Sequence, residues 1–173
     1  MCPLTLPEAR PWAWWARPAA CGKSTTGRAI LRLHEPTAGQ VIFEGQDIVG
    51  YNKAQMKAMR KEMQIVFQDP YSCLDPRMTI GQIIAEPLQI SGVVPQKDIM
   101  DCVLDLMARG GVSKKLYNSF PHELDGGRRQ RVGIIRALAL NPSFIVCDEP
   151  VSSLDVSIQA QVINMFEDLQ QEM

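Results

Sequence analysis

The chain lacks long hydrophobic runs, an excess of charge and a broad basic face. No apolar stretch approaches the roughly 18 residues of a membrane-spanning helix, so any association with a membrane is expected to come through a partner protein. Lys and Arg number 18 against 19 Asp and Glu, a net charge of −1, which gives no electrostatic reason to expect nucleic-acid binding. The dense basic group Arg128, Arg129 and Arg131 is more typical of a solvated or phosphate-facing helix surface. We therefore expect no nucleic-acid partner.

Cysteine is scarce and irregularly placed. The 5 cysteines are odd in number and have no C-x-x-C spacing, which indicates neither a disulfide framework nor a zinc site. A reducing cytosol fits this usage. With 173 residues and 46% apolar content, the chain is long enough for one domain with a sizeable core.

Two segments carry the residue types of a nucleotide site. Gly22-Lys-Ser-Thr25 matches the end of a G-x-x-x-x-G-K-[ST] loop, in which backbone N–H groups and the lysine hold phosphates and the hydroxyl reaches Mg²⁺. Residues 144–147 form a short apolar run, typical of a buried parallel strand, and Asp148 and Glu149 follow it directly. Such a strand delivers its acids to the sheet edge where ligands bind, so we expect one Mg-nucleotide site. In the alternative, the two acids only cap the next turn.

Further blocks, in the same order, resemble the ATP-binding subunits of ABC transporters. Leu124-Asp-Gly-Gly-Arg128 stands where that family has its Leu-Ser-Gly-Gly-Gln signature, Val66-Phe-Gln-Asp69 is similar to its Q-loop, and Ser153-Leu-Asp155 to its D-loop. Phe67-Gln-Asp-Pro-Tyr-Ser72 and Asp155-Val-Ser-Ile-Gln-Ala-Gln161 are similar to the subgroup that energises uptake of oligopeptides, dipeptides or nickel. The resemblance covers residues 21–173.

The resemblance implies an α/β fold of the P-loop NTPase (RecA-like) kind, with a parallel-sheet core and a smaller helical subdomain at about residues 78–124. Residues 21–173 would then be a partial ABC ATPase domain, truncated at the C-terminus and altered at the N-terminus. Periodicity and turn residues predict helices at 23–33, 54–59, 79–90, 97–108, 128–140 and 156–171, and strands at 41–44, 63–67 and 144–147. Leu31, Leu33, Val132 and Ile135 are among the core candidates.

The ligands that the resemblance implies are ATP and Mg²⁺. Glu149 would be the base that polarises the attacking water, and Gln68 would reach that water and the metal; in the alternative, Gln68 is an ordinary polar loop residue. Phosphoryl transfer needs mostly positioning and charge neutralisation, so one oriented carboxylate and a metal suffice. The expected metal ligands are Ser24, Gln68 and Asp148. The expected nucleotide-binding residues are Cys21, Gly22, Lys23, Ser24 and Thr25, together with Asp125, Gly126, Gly127 and Asp155 for ATP bound on a second subunit.

Asp125 departs from the serine of the family signature. A serine donates a hydroxyl to the γ-phosphate, whereas Asp125 brings a negative charge that Arg128, in place of glutamine, could offset. As a plain helix N-cap an Asp is physically sound. Asp155 is open to the same alternative reading as the N-cap of the last helix.

Residues 1–20 are predicted to be an aberrant segment. They hold all 3 tryptophans and show neither helical nor strand periodicity. Arg17 and Ala20 stand where the family's phosphate loop has glycines, which suit left-handed backbone angles and a close approach to phosphate. Our hypothesis is a frameshift: DNA that encodes a family-like strand and loop ending in Leu-Gly-Leu-Val-Gly-Glu gives residues 1–16 when read one base later. The gene sequence would decide it.

The resemblance implies an ATP-hydrolysing subunit of an oligopeptide or dipeptide importer, incomplete and, with its altered loop, expected to be inactive as it stands. Its partners would be a second ATP-binding subunit, membrane permease subunits and, indirectly, a peptide-binding protein, which would place it at the cytoplasmic face of the membrane. Two alternatives stay open: a non-catalytic remnant that at most binds a partner, and a soluble ABC-type ATPase not tied to a transporter.

Overall fold

The structure is a computed structural model that describes residues 13–14, 22–69, 71–150 and 159–165, with residues 13, 14 and 23 described for their backbone alone. The strands are β1 (Ala13–Trp14), β2 (Ile42–Phe43), β3 (Gln46–Asp47), β4 (Met63–Val66) and β5 (Phe144–Cys147). The helices are α1 (Lys23–Ile30), α2 (Lys53–Glu62), α3 (Ile80–Ser91), α4 (Ile99–Arg109) and α5 (Gly126–Leu138), and residues 159–165 are also helical.

Three strands that are far apart in the sequence form a parallel sheet with the order β1-β5-β4. β5 has the bounds that the sequence predicts, and it pairs with β4 from Met63↔Phe144 to Val66↔Cys147. Within residues 1–20, which show no strand periodicity, the backbone of Ala13–Trp14 nevertheless pairs in parallel with Ile145 and Val146. Strand pairing uses backbone groups, which any non-proline residue carries.

The two faces of β5 are buried by different elements, as its alternating side chains require. Ile145 and Cys147 pack with Ile134 of α5 and with Val162 and Met165 of the last described helical segment. On the opposite face, the cluster is made of Leu31, Ile48, Met56, Met63, Phe144 and Val146. The sheet is therefore covered on both sides, which explains why β5 is apolar at every position.

A third apolar cluster joins α3 and α4 to α5. Ile83 and Ile84 of α3, Val103 and Met107 of α4 and Ile135 of α5 are all buried in it. Thr79 starts α3 with a reciprocal capping box, in which its side chain accepts from the backbone of Gln82 and the Gln82 side chain accepts from the Thr79 N–H. The boundaries of the helical subdomain at residues 78–124 stay a prediction. Helices α3 and α4, which lie within that range, both pack in this cluster.

The structure corrects several predicted bounds. α1 stops at Ile30 rather than at residue 33 because Arg32 adopts a left-handed φ of 48° and its guanidinium donates to the carbonyl oxygens of Ile48 and Tyr51 at 3.0 and 2.8 Å. Leu33 is consequently 45% exposed, so its assignment to the core was wrong. The predicted strand at 41–44 is one arm of a hairpin with β3, which the prediction missed. Within the described residues, no helix has the length and hydropathy to cross a membrane.

Candidate functional site

Ser24 and Asp148 meet at the carboxyl edge of β5. The Ser24 hydroxyl donates to Oδ1 of Asp148 at 2.6 Å, across 124 positions of sequence. Asp148 is only 7% exposed, and its backbone N–H donates to the carbonyl of Val66 at 2.9 Å, which extends the β4–β5 ladder by one residue. The strand pairing therefore sets the height at which this carboxylate faces the start of α1.

Gln68 and Glu149 meet at the same edge. Each follows the end of a neighbouring parallel strand, β4 for Gln68 and β5 for Glu149, and Nε2 of Gln68 donates to Oε2 of Glu149 at 3.1 Å. Glu149 has a left-handed φ of 47°, which is uncommon for a residue other than glycine. The predicted base and the predicted water-orienting amide are thus in direct contact.

Gly22 and the first turn of α1 are the part of the predicted phosphate loop that the structure describes. Gly22, the N-cap, has a φ of 77°, a left-handed angle that favours glycine. Its carbonyl accepts from the Thr26 N–H at 2.8 Å, and the exposed Thr25 lies in the same first turn. The unpaired N–H groups of such a turn attract anions. Lys23 contributes its backbone to α1, whereas its side chain, like Cys21, Arg17 and Ala20, lies outside the description.

Asp148 keeps one oxygen available to a ligand. Its Oδ2 is buried and finds no hydrogen-bond partner among the described residues, although Nη2 of Arg28 lies 3.7 Å from it. Mg²⁺ prefers oxygen ligands and is held by one or two carboxylates together with phosphates and waters. The buried Oδ2 and the Ser24 hydroxyl fit that demand. In the described parts of the chain, no group of three or more His, Cys, Asp or Glu side chains forms a richer metal site.

The predicted signature forms the first turn of α5. Asp125 is its N-cap and accepts from the Arg128 N–H at 2.8 Å, which is why the helix begins at Gly126 instead of the predicted residue 128. Nε of Arg128 lies 3.4 Å from Oδ2 of Asp125, and both side chains are more than half exposed. The N-cap reading of Asp125 is therefore realised, with Arg128 close enough to offset its charge. Gly127 is buried. Asp155 lies outside the described residues.

Two arginines near these residues, Arg28 and Arg129, were not assigned to the site by the sequence analysis. Arg28 stands one helical turn after Ser24, so helical spacing alone could have placed it beside Asp148. Arg129 lies with its guanidinium carbon 4.0 Å above the Tyr71 ring, a contact between distant segments that no local pattern signals.

Burial raises the pKa of the Cys147 thiol to about 12, which keeps this residue of β5 protonated and inert.

A glycine-led helix whose serine meets an acid at the end of a central parallel strand is the arrangement of P-loop nucleotide-binding proteins, and the chain has that fold. The sequence profile of the family described as ABC transporter matches residues 18–152. The chain therefore belongs to the ABC transporter family, as the resemblance in the sequence predicted.

Individual relatives agree with this assignment. The chain is similar to the "Probable peptide ABC transporter ATP-binding protein y4tS" of Sinorhizobium fredii (strain NBRC 101917 / NGR234), with 50% identity over 154 residues, 89% of this chain and 44% of the relative. It is also 50% identical over 155 residues to the "Oligopeptide transport ATP-binding protein AppF" of Bacillus subtilis (strain 168), 89% of this chain and 47% of the relative.

Among solved structures, the dimeric post-hydrolysis state of the ATP-binding cassette MJ0796, bound to ADP and Pi, has a TM-score of 0.76 at 28% identity and covers 87% of this chain and 66% of that one. The shared fold thus includes the parallel sheet and the helices around it. The chain spans about half the length of the curated relatives it matches, from 44% to 51% in the first three.

Proposed function

We propose that this chain is the nucleotide-binding portion of an ATP-hydrolysing subunit of an ABC importer for oligopeptides or dipeptides. The contact between the Ser24 hydroxyl and Asp148 carries the proposal, because it brings the phosphate-loop helix to the acid at the sheet edge. The names of relatives at about 50% identity support a peptide importer over a soluble ATPase. In this role the chain would sit at the cytoplasmic face of the membrane, held by permease subunits.

The residues at the sheet edge have different roles in this proposal. Ser24, Asp148 and the side-chain carbonyl of Gln68 would hold Mg²⁺, directly or through water. When bound, the ion neutralises charge on the β- and γ-phosphates. Glu149 then takes up the proton of the attacking water, and Gln68, already donating to Glu149, orients that water. The N–H groups after Gly22 and the Lys23 side chain would hold the phosphates.

A second subunit completes the site in this proposal. The turn Asp125–Gly127 opens α5 with free N–H groups that suit the γ-phosphate of ATP bound on the partner. Here the negative charge of Asp125 opposes the phosphate, and the hydrogen bond to the Arg128 N–H holds that carboxylate at the helix start.

Arg17, Ala20 and Asp125 favour a second candidate, a remnant that binds ATP poorly and hydrolyses essentially none. A non-glycine residue held in a left-handed loop conformation costs about 1–3 kcal/mol. Two such residues at 17 and 20 would weaken a phosphate cradle built from backbone groups, even with Ser24 and Asp148 in place.

Calorimetry with Mg-ATP separates these candidates. We expect weak binding by the unchanged chain and at least about tenfold tighter binding by the Arg17→Gly, Ala20→Gly double variant, since relief of 1.4 kcal/mol of strain is a factor of ten. Lys23→Ala in the double variant is the matched control and should abolish the gain. Micromolar binding by the unchanged chain would refute the remnant reading, and no binding by either form would refute the ATP-binding proposal. Co-purification with peptide permease subunits tests the importer role.

A further inference from the structure

Helix α5 reaches the loop after Gln68 through two arginine side chains. The guanidinium carbon of Arg129 lies 4.0 Å from the centroid of the Tyr71 ring. Two turns later, Nη1 of Arg136 donates to the carbonyl oxygen of Cys73 at 2.7 Å. Residues seven positions apart lie on the same face of a helix, so one face of α5 holds this loop at both contacts.

Arg129 also holds the turn that precedes α5. Its Nε donates to the carbonyl oxygen of Pro121 at 2.6 Å, and its Nη2 donates to that of His122 at 3.3 Å. A guanidinium can make these bonds in its own plane while its face lies on an aromatic ring. One side chain therefore joins the Tyr71 loop to the turn that leads into Asp125, the N-cap of α5.

The other end of the loop is tied to the predicted base. Nε2 of Gln68 donates to Glu149 at 3.1 Å, and the next residue, Asp69, accepts from the backbone N–H of Tyr71 at 2.8 Å through its Oδ1. This hydrogen bond holds the backbone of Tyr71 close to Asp69, the residue that follows Gln68. Side-chain contacts thus join Glu149 to Gln68 and Tyr71 to Arg129, and the backbone between Gln68 and Tyr71 connects the two pairs.

We propose that Arg129 is a positioning residue that couples the placement of Gln68 against Glu149 to the placement of the turn Asp125–Gly127. The proposal rests on the proposed function, which assigns Gln68 the orientation of water and Asp125–Gly127 the contact with a second subunit. A displacement at the start of α5 is passed by the guanidinium to the Tyr71 ring and from there to Gln68.

The test uses the unliganded 173-residue protein. Nuclear magnetic resonance reports on the Gln68 side-chain amide, and hydrogen exchange is measured for the backbone amides of residues 122–125. Gln68→Ala assigns the signal, and Glu149→Ala shows where it moves when its partner is removed. We expect Tyr71→Leu and Arg129→Gln each to move the signal in that direction and to raise exchange about two- to five-fold, the effect of one exposed cation–π contact. Tyr71→Phe keeps the ring and should match the unsubstituted protein.

The double variant Tyr71→Leu, Arg129→Gln decides whether the two residues act together. If Tyr71 and Arg129 act through one contact, the double variant should move the Gln68 signal and raise hydrogen exchange no further than Arg129→Gln does alone. Additive effects, or a Gln68 signal that stays in place in Tyr71→Leu, would overturn the proposal. These measurements need no nucleotide, so a failure of Mg-ATP binding would count against the proposed function and leave the coupling to be decided by them.

Discussion

Replacing Ser24 by alanine removes the donor to a buried carboxylate and should destabilise the protein. The hydroxyl lies 2.6 Å from Oδ1 of Asp148, and Asp148 is 7% exposed with no hydrogen-bond partner for Oδ2 among the described residues. After the substitution, the contact that the described residues leave to this carboxylate is the Arg28 guanidinium at 3.7 Å. The variant therefore isolates one charge-assisted hydrogen bond.

The expected loss follows from two opposing terms. A hydrogen bond to a charged group contributes about 1.5–3 kcal/mol, while alanine is a better helix former than serine by about 0.5 kcal/mol. The free energy of unfolding should fall by about 1–2.5 kcal/mol, which for a chain of this length lowers the melting temperature by roughly 2–10 °C.

Urea unfolding followed by circular dichroism measures the change. Thr25→Ala is the matched control, because Thr25 is exposed in the same helical turn and its replacement should be neutral or slightly stabilising. A Ser24→Ala variant as stable as Thr25→Ala would refute the reasoning, since it would mean that Asp148 gains nothing from the hydroxyl. In an Asp148→Ala background the effect of Ser24→Ala should shrink, because its acceptor is gone.

Four further predictions concern the site and the sheet below it. The first two use a chimera that has glycine at positions 17 and 20 and continues into the C-terminal part of a curated relative. In this chimera, Glu149→Gln should remove ATP hydrolysis and leave Mg-ATP binding intact, because it deletes the base and keeps the phosphate contacts. Unchanged turnover would contradict the assignment of Glu149 as the base. In the same chimera, Asp125→Ser should strengthen ATP-dependent dimerisation in sedimentation experiments, because serine caps a helix about as well but adds no charge; weaker or equal dimers would favour a capping role alone. Gly27→Ala should cost about 1–3 kcal/mol on urea unfolding, since a Cβ there would lie 2.8 Å from Cγ1 of Val146, and Val146→Ala should restore most of the loss. Burial raises the pKa of Cys147 to about 12, so the folded state favours the protonated thiol. The resulting contribution to the free energy of unfolding is complete below about pH 9 and is lost as the pH rises towards 12. The free energy of unfolding should therefore fall across that window relative to Cys147→Val, and parallel pH profiles of the two proteins would contradict the burial argument.

Segments with a strong local pattern were predicted well. β5 has the predicted bounds because four consecutive apolar residues followed by two acids suit a strand that is buried on both faces. Helices α3 and α4 were predicted to within a few residues, since their apolar residues recur at helical spacing and Thr79 supplies a cap. Leu33 was misplaced because the end of α1 depends on the contacts of Arg32 with distant carbonyl groups.

Local pattern was therefore enough to indicate the fold, the family and the chemical types of the site, because Gly22-Lys-Ser-Thr25, the strand before Asp148 and the glycines after Asp125 each depend on a few neighbouring residues. Tertiary structure alone decided which atoms meet. The bond from Ser24 to Asp148 spans 124 positions and that from Gln68 to Glu149 spans 81, and the guanidinium of Arg129 lies on a ring from another segment. Such contacts are set by how parallel strands align and helices pack, and no short stretch of sequence records that alignment.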